Sequence, residues 1–233
     1  MIWNETKECM SRDEMSALQS ERLVKQVKNV YENVEFYRKK MDDLGVEPGD
    51  IKGIEDINKL PFTTKEDLRD NYPFGLLAVP QEKIVRVQGT SGTTGKLTLA
   101  SYTQKDVDDW AKMFARCYEM AGITALDRIQ ITPGYGLWTA GIGFQLGAEH
   151  LGAMTIPMGP GNTDKQLRMM QDMKATVLCA TSSYALLLAE EIAKRDMTDK
   201  VCLKKGVIGS ERWGEKMRKR IAAELGVQLY DIY

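Results

Sequence analysis

Thr176-Val177-Leu178-Cys179-Ala180 is a short apolar run, and a helical pattern separates it from the next such run, Gly206-Val207-Ile208-Gly209. Working outward, the unit recurs. Arg128 to Thr132 and Ala153 to Ile156 lie upstream and Val227 to Tyr230 downstream, each brief, apolar and set off by helical spacing. Such alternation predicts βαβ units. The expected fold is α/β, a mostly parallel sheet flanked by helices. In that architecture ligands collect beyond the carboxyl ends of the strands. Pro133 to Thr139, Ser210 to Trp213 and Asp231 to Tyr233 follow strands and are expected to line one crevice.

Ahead of this alternation, Ile84-Val85-Arg86-Val87-Gln88 and Leu97-Thr98-Leu99-Ala100-Ser101-Tyr102 read as strands joined by a polar, glycine-rich loop. Thr103 is placed to cap a helix whose apolar positions Val107, Trp110, Ala111, Phe114, Tyr118 and Ala121 keep i, i+3, i+4, i+7 spacing, and Gly122 ends it. The first eighty residues read as helical and strongly charged. Ser11-Arg12-Asp13-Glu14 has the form of a capping box, and Leu23, Val27, Val30, Tyr31 and Val34 make one apolar stripe that Gly45, Pro48 and Gly49 interrupt. A short helix opens near Pro61-Phe62-Thr63-Thr64-Lys65-Glu66 with Thr63 or Thr64 as its cap. The expected organisation is a helical region, residues 1–80, packed on a main α/β region, residues 81–233.

With 233 residues, 43% apolar and 28% charged, the chain has the make-up of a globular protein and not of a disordered one. Lys and Arg number 32 against 33 Asp and Glu, so the net charge of -1 supplies no field for nucleic acid or anionic lipid. The cysteines Cys9, Cys117, Cys179 and Cys202 form no close pair and read as reduced core thiols. One histidine, His150, rules out a His-rich zinc site, and no metal ligand is assigned. Met1 to Glu8 lacks the apolar core of a secretion signal, and the longest apolar run, Tyr184 to Ala189, is too short to span a bilayer. A cytoplasmic protein without a membrane partner is expected.

Gly89-Thr90-Ser91-Gly92-Thr93-Thr94-Gly95-Lys96 packs three glycines, four hydroxyls and one cation into eight residues. Glycines let backbone N–H groups approach phosphate oxygens, hydroxyls add donors, and Lys96 adds a point charge, so the composition suits a polyphosphate. A flexible hairpin turn would use the same residue types. It is not a Walker A loop, because Leu97 and a strand-like run follow Lys96 where Ser or Thr and a helix are required.

The string Ser91-Gly92-Thr93-Thr94-Gly95-Lys96 resembles the phosphate loop of adenylate-forming enzymes, the acyl-CoA synthetase superfamily. Further segments narrow the resemblance to phenylacetate-CoA ligases: Leu60 to Arg69 with Asn71-Tyr72-Pro73-Phe74-Gly75, Tyr102-Thr103, Tyr135-Gly136-Leu137-Trp138-Thr139, Gly147-Ala148-Glu149, Leu151-Gly152-Ala153, Ser183-Tyr184-Ala185 and Tyr230-Asp231-Ile232-Tyr233. It covers nearly the whole chain. It implies conversion of phenylacetate or a related aromatic acid, ATP and coenzyme A to acyl-CoA, AMP and pyrophosphate through an acyl-adenylate. Such a reaction runs on positioning and charge stabilisation and needs no protein nucleophile.

By the same resemblance Thr90, Ser91, Gly92, Thr93, Thr94, Gly95 and Lys96 hold the ATP phosphates, with Lys96 as the catalytic residue. Ser210, Glu211, Arg212 and Trp213 border the adenine, and Tyr230, Asp231, Ile232 and Tyr233 close over it, Asp231 accepting from the amino group and Tyr233 stacking on the ring. Tyr135, Trp138, Gly141 and Phe144 are candidates for the aryl-acid pocket, since aromatic walls with glycines between them leave a flat slot. Ordinary packing at a Gly-rich helix start accounts for these four equally well. Mg²⁺ and coenzyme A are implied as cofactors and self-association, such as a homodimer, as the assembly.

The chain departs from the family at Gln145, where many relatives carry His, and at Gln88-Gly89-Thr90, Leu97 and Ala140; His150 stands where relatives tend to have Arg and reads as a helix-end surface residue. The family motif would continue past Tyr233 with Gly and then Thr-Glu, and the ribose-binding Asp and a C-terminal domain with its lysine would follow. The expectation is therefore the N-terminal part of such a ligase, inactive by itself. The alternative is a non-catalytic nucleotide-binding or assembly module.

Overall fold

The computed structural model describes residues 4–90 and 97–232. Packing divides the described residues into two compact units, one from Asn4 to Val107 and one from Asp108 onward. The hairpin that begins at Ile84 groups with the helical residues of the first unit.

The first unit opens with helices α1 (Glu5–Glu8), α2 (Arg12–Asn33) and α3 (Glu35–Asp43). The capping box forms: Ser11 Oγ accepts from the Glu14 N–H at 3.2 Å and the Glu14 carboxylate accepts from the Ser11 N–H at 2.9 Å. The apolar stripe lies on α2 as far as Val34, which takes extended geometry (φ -124, ψ 104) and ends that helix before α3 begins. Val27, Met41 and Ile51 form the buried centre, with Leu23, Tyr31, Val46 and Leu60 packed on it. Helix α4 (Lys65–Asp70) is capped by Thr64, whose N–H in turn donates to Asp67 at 2.7 Å. Lys40 pairs with the same carboxylate at 2.7 Å.

Strands β1 (Ile84–Gly89) and β2 (Leu99–Thr103) pair antiparallel, Gly89 opposite Leu99. Beyond them the Thr90 N–H donates to the Thr98 carbonyl at 3.0 Å and the Thr98 N–H to Thr90 Oγ1 at 3.2 Å. Helix α5 (Gln104–Met120) begins on the expected cap, the Asp106 N–H donating to Thr103 Oγ1 at 3.3 Å. It ends at Gly122 in the left-handed region (φ +65), where the Ile123 N–H reaches back to the Tyr118 carbonyl at 2.9 Å.

In the second unit β3 (Arg128–Ile131), α6 (Thr139–Leu151), β4 (Met154–Pro157), α7 (Thr163–Asp172), β5 (Val177–Thr181), α8 (Ser182–Lys194), β6 (Lys205–Gly209), α9 (Glu215–Leu225) and β7 (Gln228–Ile232) alternate strictly. The five strands are the five expected, shifted by one or two residues. They form one all-parallel sheet of order β4-β3-β5-β6-β7. Both faces are covered, as a parallel sheet requires. Ile129, Ile131, Val177, Cys179 and Val207 pack with Tyr118, Phe144 and Ala148 of α5 and α6. Leu178, Ala180 and Ile208 pack with Leu167, Leu188 and Ile221 of α7, α8 and α9. Chain direction across the sheet reverses at β3 and β5: the exit from β3 leads to β4 on one side, the exit from β5 to β6 on the other. A ligand crevice belongs outside the carboxyl ends of those two strands.

Candidate active site

Four segments stand at the carboxyl ends of the strands, those after β3, β4 and β6 and the end of β7. After β3, the Thr132 N–H and hydroxyl both donate to the Cys179 carbonyl of β5, at 3.0 and 2.9 Å. Tyr135 follows. Its ring lies beside Gly159, in the segment after β4, and packs on the cluster that contains Phe144. Its hydroxyl is buried without a hydrogen-bond partner among the described residues, and burial, helped by the nearby Cys179 and Glu149, pushes its pKa up to about 12. An unpaired buried hydroxyl costs about 1–3 kcal/mol, which a ligand acceptor would recover.

Gln166 of α7 orders the segment after β4. It is fully buried and donates through Nε2 to the Gly159 carbonyl at 2.7 Å, while Gln130 Nε2 of β3 donates to Gln166 Oε1 at 2.7 Å. After β6 the chain turns at Ser210, a non-glycine residue with φ +68, a conformation held only where neighbours enforce it. Glu211 then reaches the first turn of α8. Its carboxylate accepts from the Ser183 N–H at 2.8 Å, the Ser182 hydroxyl at 2.9 Å and the Ser183 hydroxyl at 2.8 Å. These bonds, the Ser183 N–H first, hold the Glu211 pKa below the usual glutamate range.

The last segment is the end of β7. Tyr230 and Ile232 pack on the α5 and α6 face, and a cavity of about 270 Å³ opens beside them, lined also by Cys117, Met120, Ala121, Val207 and Asp231. The Asp231 carboxylate pairs with Arg218 of α9, whose guanidinium also lies over the Trp213 ring, 4.8 Å from its centroid.

Glu211, Trp213, Tyr230, Asp231 and Ile232 sit on the carboxyl ends of β6 and β7, with Ser210 and Arg212 in the same exposed turn. Of the aryl-acid candidates, Tyr135 lines the turn after β3, Trp138 is 47% exposed at the start of α6, and Phe144 is buried against Phe114 and Tyr118. Gly141 packs on the Gly134 carbonyl, 2.6 Å from where a Cβ would stand. Ser91, Gly92, Thr93, Thr94, Gly95, Lys96 and Tyr233 lie outside the described residues; Thr90 is the described member of the phosphate set. Sequence reading missed Arg218, Gln166 and Ser182. Gln130, a polar residue in the middle of an apolar strand, was the visible signal for the Gln166 contact.

Among the described residues no three His, Cys, Asp or Glu side chains gather as a metal-binding group. Glu211 is already taken by three donors, so the Mg²⁺ implied by the resemblance finds no set of ligands among them. No helix among the described residues is long and apolar enough to cross a membrane.

No protein-family model matches the chain. The fold is that of a CoA ligase domain: the crystal structure of an open conformation of 2-hydroxyisobutyryl-CoA ligase, in complex with 2-HIB-AMP and CoA, matches with a TM-score of 0.90 at 28% identity, covering 99% of this chain and 56% of that one. Within that class the curated relatives are more specific. The chain is 46% identical over 228 residues to phenylacetate-coenzyme A ligase of Escherichia coli (strain K12), covering 97% of this chain and 52% of that protein. It is 46% identical over 224 residues to the enzyme of the same name from Aromatoleum evansii, covering 96% and 51%. The chain spans about half the length of the curated relatives it matches, and the resemblance read from its motifs extends across it.

Proposed function

We propose that the protein carrying this chain is an AMP-forming acid-thiol ligase that joins phenylacetate or a related aromatic acid to coenzyme A. The observation that carries this reading is the 46% identity to phenylacetate-coenzyme A ligase over 97% of the chain. A carboxylate oxygen attacks the α-phosphorus of ATP; the new acyl–O–P bond replaces the α–β anhydride, whose electron pair leaves with pyrophosphate. The coenzyme A sulfur then attacks the acyl carbon, the thiol proton is lost, and AMP departs with the carboxylate oxygen.

The chain's part is to bind and orient. Thr90 to Lys96 hold the phosphates and Lys96 offsets the charge on the leaving pyrophosphate. Ser210 to Trp213 and Tyr230 to Tyr233 border the adenine. Tyr135 offers its buried, unpaired hydroxyl to the acid, with Trp138, Gly141 and Phe144 completing the acid site. The reading includes a cytoplasmic homodimer.

Incubating the complete protein that carries this chain with ATP, coenzyme A and a panel of acids tests the reading. Phenylacetate or another aryl acetate is expected to give the fastest release of AMP and pyrophosphate. ADP and phosphate as products would overturn the mechanism, and fatty acids outcompeting every aryl acid would overturn the substrate class.

A further inference from the structure

We infer that Arg218 is a positioning residue that sets the base specificity of the nucleotide site, by clamping together the two segments expected to border the adenine. The inference rests on the nucleotide reading above. Arg218 lies in the first turn of α9, and its guanidinium makes three contacts in three directions. Nη1 donates to the Leu229 carbonyl of β7 at 3.2 Å, Nη2 pairs with Asp231 Oδ2, and the guanidinium carbon stands 4.8 Å from the centroid of the Trp213 ring. One side chain thereby joins the segment after β6 to the end of β7.

The placement is not explained by the helix itself. A cation in the first turn faces the positive end of the helix dipole and is unfavourable there. The neighbouring cations serve surface pairs instead, Lys219 with Glu215 and Arg220 with Glu224 and Glu190. Only a planar fork can stack on an indole while donating to a carbonyl and a carboxylate, so lysine cannot replace it. Asp231 is 58% exposed, and without Arg218 nothing described would hold its carboxylate in one orientation. A carboxylate accepts and does not donate. Fixed beside a purine it favours a 6-amino group, which donates, and repels a 6-oxo group, which accepts.

The test compares ATP with inosine triphosphate, in the complete protein that carries this chain, for wild type, Arg218→Met and Arg218→Lys. Wild type is expected to prefer ATP in kcat/KM by at least about tenfold, and both variants to lose most of that preference while the KM for the acid stays put. Should Arg218→Met not fold, Arg218→Lys carries the comparison. A variant that loses ATP and inosine triphosphate use equally, keeping the ratio, shows a merely structural arginine and overturns the inference while the nucleotide reading stands. A wild type that uses neither nucleotide overturns both.

Discussion

A methyl group on Gly147 would collide with the Cβ of Phe114, since α6 and α5 approach closely enough at that point to exclude any side chain. Gly147→Ala is expected to destabilise by about 1–3 kcal/mol, the usual cost of overpacking a rigid contact, read as a lowered midpoint in denaturant; an unchanged midpoint would contradict the packing. The thiols separate by burial. Sequence reading placed all four in the core, but Cys9, Cys117 and Cys202 are exposed and only Cys179 is buried, its pKa pushed up to about 12 by desolvation. Alkylation of the native protein is expected to spare Cys179 until the chain unfolds. Lys96→Ala is expected to weaken ATP use by about 1.5–3 kcal/mol, the scale of a charge-assisted hydrogen bond, with little change in stability; unchanged kinetics at limiting ATP would make Lys96 a solvated turn residue. The expectation at Lys96 rests on consecutive residues alone. Arg218 is not legible in that way, since an arginine among Lys216, Lys219 and Arg220 reads as one more charge on a wet helix face, and its partners Trp213, Leu229 and Asp231 come near only through the fold.

Glu211 joins the turn after β6 to the first turn of α8, where its carboxylate meets both oriented donors and the positive end of the helix. Its folded pKa is lowered, so its contribution to stability is complete above the ordinary glutamate pKa and is lost as pH falls through the folded value. Thermal stability measured from neutral pH down into the acid range is expected to fall less steeply for Glu211→Gln than for wild type. Parallel slopes would show that the carboxylate carries no linkage. At this scale the sequence is most legible where a strand is buried on both faces. Val177 to Ala180 and Gly206 to Gly209 have no polar side to confuse with a turn, and their boundaries move by a residue only. The break between α2 and α3 is not legible, because Val34 stays 1% exposed and apolar while its backbone leaves the helix. The same limit explains Phe144: an aromatic near a glycine-rich helix start fits a ligand slot or a core, and the rings of Phe114 and Tyr118, at 5.5 and 6.4 Å between centroids, show the core contact.

For the molecule as a whole, the parallel sheet and the placing of post-strand segments at its carboxyl edge follow from strict βαβ alternation, whereas the strand order with its reversal at β3 and β5 is visible only in the fold, and the proposed reaction rests on the relatives. The 233-residue chain spans about half of those relatives' length, and purified alone it is expected to form acyl-adenylate far more slowly than the relatives do, because positioning groups are shared across a whole ligase. Comparable single-turnover rates would show that this chain holds every group the first step needs. The central claim, that a carboxylate oxygen attacks the α-phosphorus, is tested most directly by supplying phenylacetate labelled with oxygen-18 in its carboxylate to the complete protein with ATP and coenzyme A. The label is expected in AMP and absent from pyrophosphate; label in inorganic phosphate, or none in AMP, would contradict the adenylation account.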